Sequence, residues 1–205
     1  RKQHLRALRE SAEQYEALFD SSNDMIYLHD LDGYYMSVNK ASEKITGYWR
    51  EELLGMNVLD LVAEDYRDLV IGYLEFGRAI AEKKKGKNKP ATYEVEIVNK
   101  YGERILLEIS TWLVYKMGEP IGIQGIARDI TARKAEETAM REYTFYLESI
   151  INSLPDPLLV IDTEGRVRIW NRAMEDLTGV SADEMLGKGN YEYSIPLHGK
   201  RRPIL

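Results

Sequence analysis

No cysteine occurs among the 205 residues, which excludes disulfide scaffolds, thiolate metal sites and cysteine nucleophiles and leaves the redox compartment open. Long apolar runs are missing too. Leu158–Ile161 is among the longest, far short of the roughly 20 residues of a membrane-spanning helix. Arg1–Glu16 is charged throughout, so no secretory leader is expected there, and the expected location is cytoplasmic, with a membrane anchor elsewhere in a parent protein left open. Basic surplus is absent as well: 28 Lys and Arg against 34 Asp and Glu give a net charge of −6. Nucleic-acid binders present a basic face, so neither DNA nor RNA is expected as a partner. Phenylalanine is scarce, 3 residues against 14 tyrosines, which favours amphipathic packing in which each buried phenol seeks a hydrogen-bond partner. The 3 histidines, His4, His29 and His198, have no metal-ligand spacing. Phosphate-cradling loops, nucleophile elbows and kinase or cyclase motifs are not found. Acidic pairs such as Glu51-Glu52 read as solvated helix faces, and the chain is expected to be non-catalytic.

What is there is a repeat. Tyr15–Gly55 lies over Leu147–Gly187 without a gap at an offset of 132 residues, the mark of one unit used twice. Identical pairs include Asp24/Asp156, Asp30/Asp162, Gly33/Gly165, Asn39/Asn171, Thr46/Thr178 and Gly47/Gly179. Asp32-Gly33 and Glu164-Gly165 each stand between β-prone runs, separating Met25–His29 from Tyr34–Val38 and Leu158–Ile161 from Val167–Trp170, a hairpin signal. Asn39 and Asn171 stand where each would cap a short helix, and Gly47 and Gly179 where a left-handed residue would stop it. Ser181-Ala-Asp-Glu184 reads as a capping box; Trp49 replaces that serine in the first copy and weakens the cap.

Between the copies, Leu59–Lys85 has one apolar face at helical spacing, closed by the basic run Lys83–Lys89, a solvated loop or an anion patch. Three β-prone segments follow, Ala91–Asn99, Glu103–Tyr115 and Pro120–Arg128, with glycine in both joints. The pattern then turns helical to Ser153, where Leu154-Pro-Asp-Pro157 ends it. Leu5, Leu8, Ala12, Tyr15 and Phe19 fall at alternating spacings of three and four, as do Met140, Tyr143, Leu147, Ile150 and Leu154. That is a coiled-coil seam, serving either dimerisation or packing onto the chain's own domain. The resulting division is an amphipathic helix over 1–19, a complete domain over 20–131, a helical linker over 132–153 and the N-terminal portion of a second domain over 154–205. In that last segment, Lys188–Leu205 shows no long helix and at most a hint of a strand. Its hairpin is marginal alone and is expected to be poorly ordered or to borrow contacts from the linker or another chain.

Asp30-Leu-Asp-Gly33, Val38-Asn39, Ile45-Thr-Gly47, Glu52-Leu-Leu-Gly55, Tyr101-Gly102 and Ala127-Arg-Asp-Ile-Thr-Ala-Arg-Lys134 stand in this order. The series resembles the PAS domain family in its signal-transduction (S-box) branch. The resemblance covers 20–131 fully and Ser153–Gly187 in the second copy. It implies an α+β fold, a five-stranded antiparallel sheet flanked by helices. It also implies a sensory and relay module of a larger signalling protein, most often a histidine kinase; an input domain of a transcription regulator or cyclic-dinucleotide enzyme is the alternative output. Flavin photoreceptors resembling this fold use a cysteine that attacks the ring, absent here, and haem relatives a histidine on the long helix, where Leu59–Lys85 has none; haem and a thiol-adduct flavin are both disfavoured. A small organic ligand between sheet and helices remains, or none, with the unit a dimerisation and docking platform. Tyr27, Ile45, Trp49, Leu69, Tyr73, Ile109, Trp112 and Gln124 are the expected pocket residues, each of which could equally be plain core. Asp129, Ile130 and Thr131 are expected to relay a shift of the last strand into the linker helix, Asp129 or Thr131 as cap and Ile130 as anchor.

Overall fold

A computed structural model describes residues 2–83 and 90–203; most of the basic run, 84–89, lies outside them, as do the side chains of Leu5 and Leu8. Helix α1 (Lys2–Ser21) leads into β1 (Met25–His29) and β2 (Tyr35–Val38), followed by short helices α2 (Lys40–Thr46), α3 (Arg50–Leu53) and α4 (Val58–Leu61). A 3-10 turn, Glu64–Tyr66, precedes α5 (Arg67–Lys83); then come β3 (Ala91–Val98), β4 (Arg104–Lys116) and β5 (Glu119–Asp129). The sheet is antiparallel throughout, in the order β2-β1-β5-β4-β3. Helix α6 (Thr131–Ser153) leads to β6 (Leu159–Ile161), β7 (Val167–Trp170), α7 (Arg172–Thr178), α8 (Ala182–Met185), a 3-10 turn at Glu192–Ser194 and α9 (Ile195–His198). The chain forms two compact units, 1–134 and 135–205. Among the described residues no helix is long and apolar enough to cross a membrane.

The single long helix expected over Leu59–Lys85 is broken. Val62 makes an isolated bridge to Ile97, and the Ala63 amide donates to Glu96 O at 2.9 Å. A backbone donor at the sheet edge is satisfied there by β3 rather than by another turn of helix, so the apolar face divides between α4 and α5. In the first unit's core, Met25, Tyr27, Tyr35, Val38, Leu53, Leu61, Val70, Leu74, Val95, Leu107, Ile109 and Ala127 are all buried. The sheet supplies this core from one face only, through alternate residues such as Val95 and Ile97 or Leu107 and Ile109.

The second unit builds a small core of its own from Val167, Trp170, Met174, Met185 and Tyr193. The Trp170 Nε1–H donates to Val180 O at 3.0 Å, the partner a buried indole requires. The tail beyond Lys188, expected to hold no long helix and at most a hint of a strand, contributes the short second 3-10 turn and α9, with no strand among the described residues, and these place Tyr193 in the core.

Candidate functional site

The hairpin geometry of both repeats is set by the same polar groups. The carboxylate of Asp30 accepts the amides of Asp32 and Tyr34, and that of Asp162 accepts those of Glu164 and Arg166, all at 2.9–3.0 Å. Asn39 and Asn171 are buried, and each side chain caps the following helix while tying down the strand and the helix before it. Asn39 Oδ1 accepts from Ile26 N and Ser42 N, and its Nδ2 donates to Phe19 O and Asp24 O. Asn171 does the same with Leu158 N, Met174 N, Ile151 O and Asp156 O. Within the second unit the hairpin thus takes contacts from the end of α6. Gly47 and Gly179 stop α2 and α7 at φ 75° and 70°, backbone that other residues adopt only with strain.

Between the sheet's inner face and α4–α5 lies a cavity of about 40 Å³. Met25, Val58, Val62, Val70, Leu74, Val95, Ile97, Leu107, Ile109 and Ile123 give it apolar walls, and Tyr27, His29, Tyr35, Tyr73, Tyr93 and Thr111 bring polar groups to it. Tyr27 stacks on His29 with centroids 5.9 Å apart and meets Tyr35 edge-on at 5.6 Å; Tyr73 stacks on Tyr93 at 4.0 Å. The Tyr27 ring lies so close over Gly125 that a Cβ there would strike it. Burial pushes the Tyr27 and Tyr35 phenols well above their usual range and the Tyr93 phenol up to about 12. His29 is held below its ordinary value by burial, against the opposing pull of the Asp30 carbonyl. Its Nδ1 lies 2.6 Å from Asp30 O; a carbonyl only accepts, so Nδ1 carries the proton of the neutral ring and Nε2 is left as an acceptor. Burial thus favours the neutral form of Tyr27, His29, Tyr35 and Tyr93 alike.

Of the expected pocket residues, the structure brings Tyr27, Tyr73 and Ile109 together on this cavity. Ile45 packs on the outside of the core. Trp112 borders a second cavity, described below. Trp49 and Leu69 do not reach the interior: they are 68% and 42% exposed. Trp49 sits at the start of α3, where its backbone is used but its ring is not: its amide donates to the Glu52 carboxylate at 2.8 Å and its carbonyl accepts the Glu52 and Leu53 amides; Leu69 is on the solvent side of α5, whose inward side is carried by Val70 and Leu74. Gln124 lines neither cavity; it pairs with Leu28 and Trp112 in the strand phase opposite to Tyr27 and Ile123, which keeps it off the inner one. Sequence reasoning missed His29, Tyr35, Tyr93 and Thr111. Strand alternation was the available signal, since Tyr27 and His29, or Tyr93 and Val95, are two apart and share a face.

At the far end of β5, the three expected relay residues meet β4. Asp129 Oδ1 accepts the Thr131 amide at 2.9 Å, capping α6. Thr131 turns back, its hydroxyl accepting the Leu106 amide at 2.9 Å, while the Ile130 amide donates to Leu106 O. Ile130 is 2% exposed. Arg133 and Lys134 in the first turn of α6 pair with Glu108 and Glu94 at 3.4 and 2.9 Å, solvent-exposed contacts worth about 0–1 kcal/mol each. Beyond that turn α6 buries none of its side chains: Met140, Tyr143, Leu147 and Ile150 are all exposed, as is Leu154 just past its end. Tyr15 is likewise exposed on α1, where Phe19 is half-buried.

A family model described as the PAS fold matches residues 13–130 and 146–200. The chain is 32% identical over 146 residues, 71% of its length, to a methyl sulfide methyltransferase-associated sensor of Methanosarcina acetivorans, of which it spans 14%. To the oxygen sensor protein DosP of Escherichia coli it is 28% identical over 152 residues, 74% of this chain and 18% of that protein. Among solved structures, the PAS domain of an HTR-like protein from Haloarcula marismortui aligns with a TM-score of 0.54 at 25% identity, covering 63% of this chain and all of that one. A PAS domain from Colwellia psychrerythraea aligns with a TM-score of 0.50 at 26% identity, covering 59% of this chain and 98% of that one.

Proposed function

The chain belongs to the PAS fold family, and from that premise we propose that it is the sensory and relay segment of a larger signalling protein, most consistent with a histidine kinase. Its inner cavity takes a small molecule, and the state of that cavity is passed through Asp129-Ile130-Thr131 into α6. The observation that carries this reading is the double attachment at Leu106. Ile130, just past the last strand, and Thr131, the first residue of α6, are both hydrogen-bonded to one residue of β4, and β4 also supplies Leu107 and Ile109 to the cavity wall. A shift of β4 against β5 therefore moves the cap of α6 with it. The names of the relatives, both sensors, support the same reading.

In the full-length signalling protein, Asp129→Ala is expected to leave the fold intact and to cut the response of output to stimulus; an unchanged response refutes the relay. Absorbance and mass analysis of whatever co-purifies with the chain tests the ligand. A second reading, a ligand-free dimerisation platform, is favoured by the exposed seam of α6. Sedimentation together with native mass spectrometry separates the two, since a platform is dimeric and ligand-free.

A further inference from the structure

We propose that the inner cavity is one chamber of a two-chamber site whose partition is the Tyr73 ring, and that its ligand is an uncharged, ring-sized apolar molecule bearing one hydrogen-bond-accepting oxygen. This rests on the reading of the inner cavity as a ligand site and adds its route of access and the class of molecule.

The outer chamber, also about 40 Å³, lies between the C-terminal half of α5 and strands β3 to β5. It shares Tyr73, Thr111 and Ile123 with the inner one. Phe76, at its rim, is 61% exposed, so this chamber is the one that meets solvent. Gly77 widens it: a Cβ there would come 2.7 Å from the Ile123 Cδ1 atom. Tyr73 is half-buried and is held by its stacking on Tyr93. Among the described residues its hydroxyl has no hydrogen-bond partner. With no hydrogen bond to tie its hydroxyl down, the ring has staggered alternatives about χ1 open to it once that stacking is given up.

Size requires that movement. A cavity that accepts benzene measures about 150 Å³, so neither chamber, at about 40 Å³, holds more than a few waters while Tyr73 stays put. Turning the ring aside joins the two chambers and removes the partition's own volume. Chemistry then fixes the class. Among the described residues no Lys, Arg, Asp or Glu lines either chamber, and a charge buried without a counter-ion is prohibitively costly. Among the described residues, the phenols of Tyr27 and Tyr35 have no protein partner, and no buried polar side-chain atom is walled off without one. Their hydroxyls therefore open onto the cavity, where each can donate as well as accept, and an oxygen that accepts from them is the recognition feature we assign to the ligand.

The test uses fluorine NMR of the full chain with three matched probes: para-fluoroacetophenone, para-fluorotoluene and para-fluorobenzoate. The ketone is expected to give a shifted bound signal. The toluene, lacking the oxygen, binds about five- to tenfold more weakly, and the benzoate gives no bound signal. Tyr73→Ala, with Tyr73→Leu as a milder second variant, is expected to speed exchange of the bound ketone about tenfold or more, while Ala91→Leu, which fills the outer chamber alone, slows it. Equal binding of benzoate and ketone overturns the ligand class. Exchange that is unchanged in Ala91→Leu and in either Tyr73 variant, each with wild-type circular dichroism, overturns the partition. No bound probe in any chain overturns the whole inference, and a ligand nonetheless found by mass analysis of the purified chain then shows that the broader reading survives without it.

Discussion

Replacing Asn39 by alanine tests the logic of the repeat most directly. The side chain is 1% exposed and serves the amides of Ile26 and Ser42 and the carbonyls of Phe19 and Asp24, at 3.0–3.2 Å. Losing the helix cap costs about 1 kcal/mol. The Ile26 amide, left without its partner, adds about 1–3 kcal/mol, and the Phe19 carbonyl about 1 kcal/mol because water reaches the end of α1, while the Asp24 carbonyl keeps the Ser22 hydroxyl. The sum is about 3–5 kcal/mol, a large share of the roughly 5–15 kcal/mol that holds a domain together. Because the chain has two units, one melting temperature is ill-defined, and residue-resolved hydrogen exchange is the better assay. The Ile26 amide should exchange about two to three orders of magnitude faster. The Leu158 amide, which bonds the equivalent Asn171 at 2.8 Å, should keep its protection, and Asn171→Ala should reverse the pattern. A loss below about 1 kcal/mol, or equal acceleration at both amides, refutes the reasoning.

Two further predictions concern the cavity wall. Gly125→Ala places a methyl group inside the Tyr27 ring's volume and should destabilise the first unit by about 1–3 kcal/mol through overpacking; Gly125→Ala combined with Tyr27→Phe, which keeps the ring, should rescue little, and with Tyr27→Leu more, as measured by urea unfolding. His29 gives a pH dependence. Burial lowers its folded pKa below the unfolded value near 6.5, so the unfolded chain binds the extra proton first. Stability is therefore full above about pH 6.5 and falls as the pH drops below it, levelling off beneath the folded pKa. Denaturation midpoints over this range should slope for the wild type and flatten for His29→Gln; equal slopes remove His29 as the cause.

Much of this architecture was legible in the residues because it is dictated locally. Asn39 and Gly47 bracket α2, Asn171 and Gly179 bracket α7, and Asp30 and Asp162 shape the two turns; each acts on backbone within a few positions, so pattern alone reveals it. The cavity was less legible. Choosing Ile109 together with Trp112, or Tyr27 together with Gln124, mixes the two faces of the sheet, and the second error is visible only once the register sets Gln124 against Leu28. Trp49 and Leu69 are large apolar residues whose exposure no composition argument forbids, since folded surfaces remain largely apolar. The break between α4 and α5 depends on β3, whose edge lies more than thirty residues away in sequence.

The Asn171 clamp has a mechanical corollary. Its amide holds both sides of the joint between α6 and β6, through Ile151 O at 3.2 Å and Leu158 N at 2.8 Å, and the Arg172 amide adds a bond to Asn152 Oδ1 at 3.2 Å. A joint stitched this way cannot swivel freely. Were twist to reach α6 as proposed, this joint would hand it to the hairpin rather than spend it in slack, and loosening the one seam should act like a slipped clutch, sparing the pieces on either side while disconnecting them.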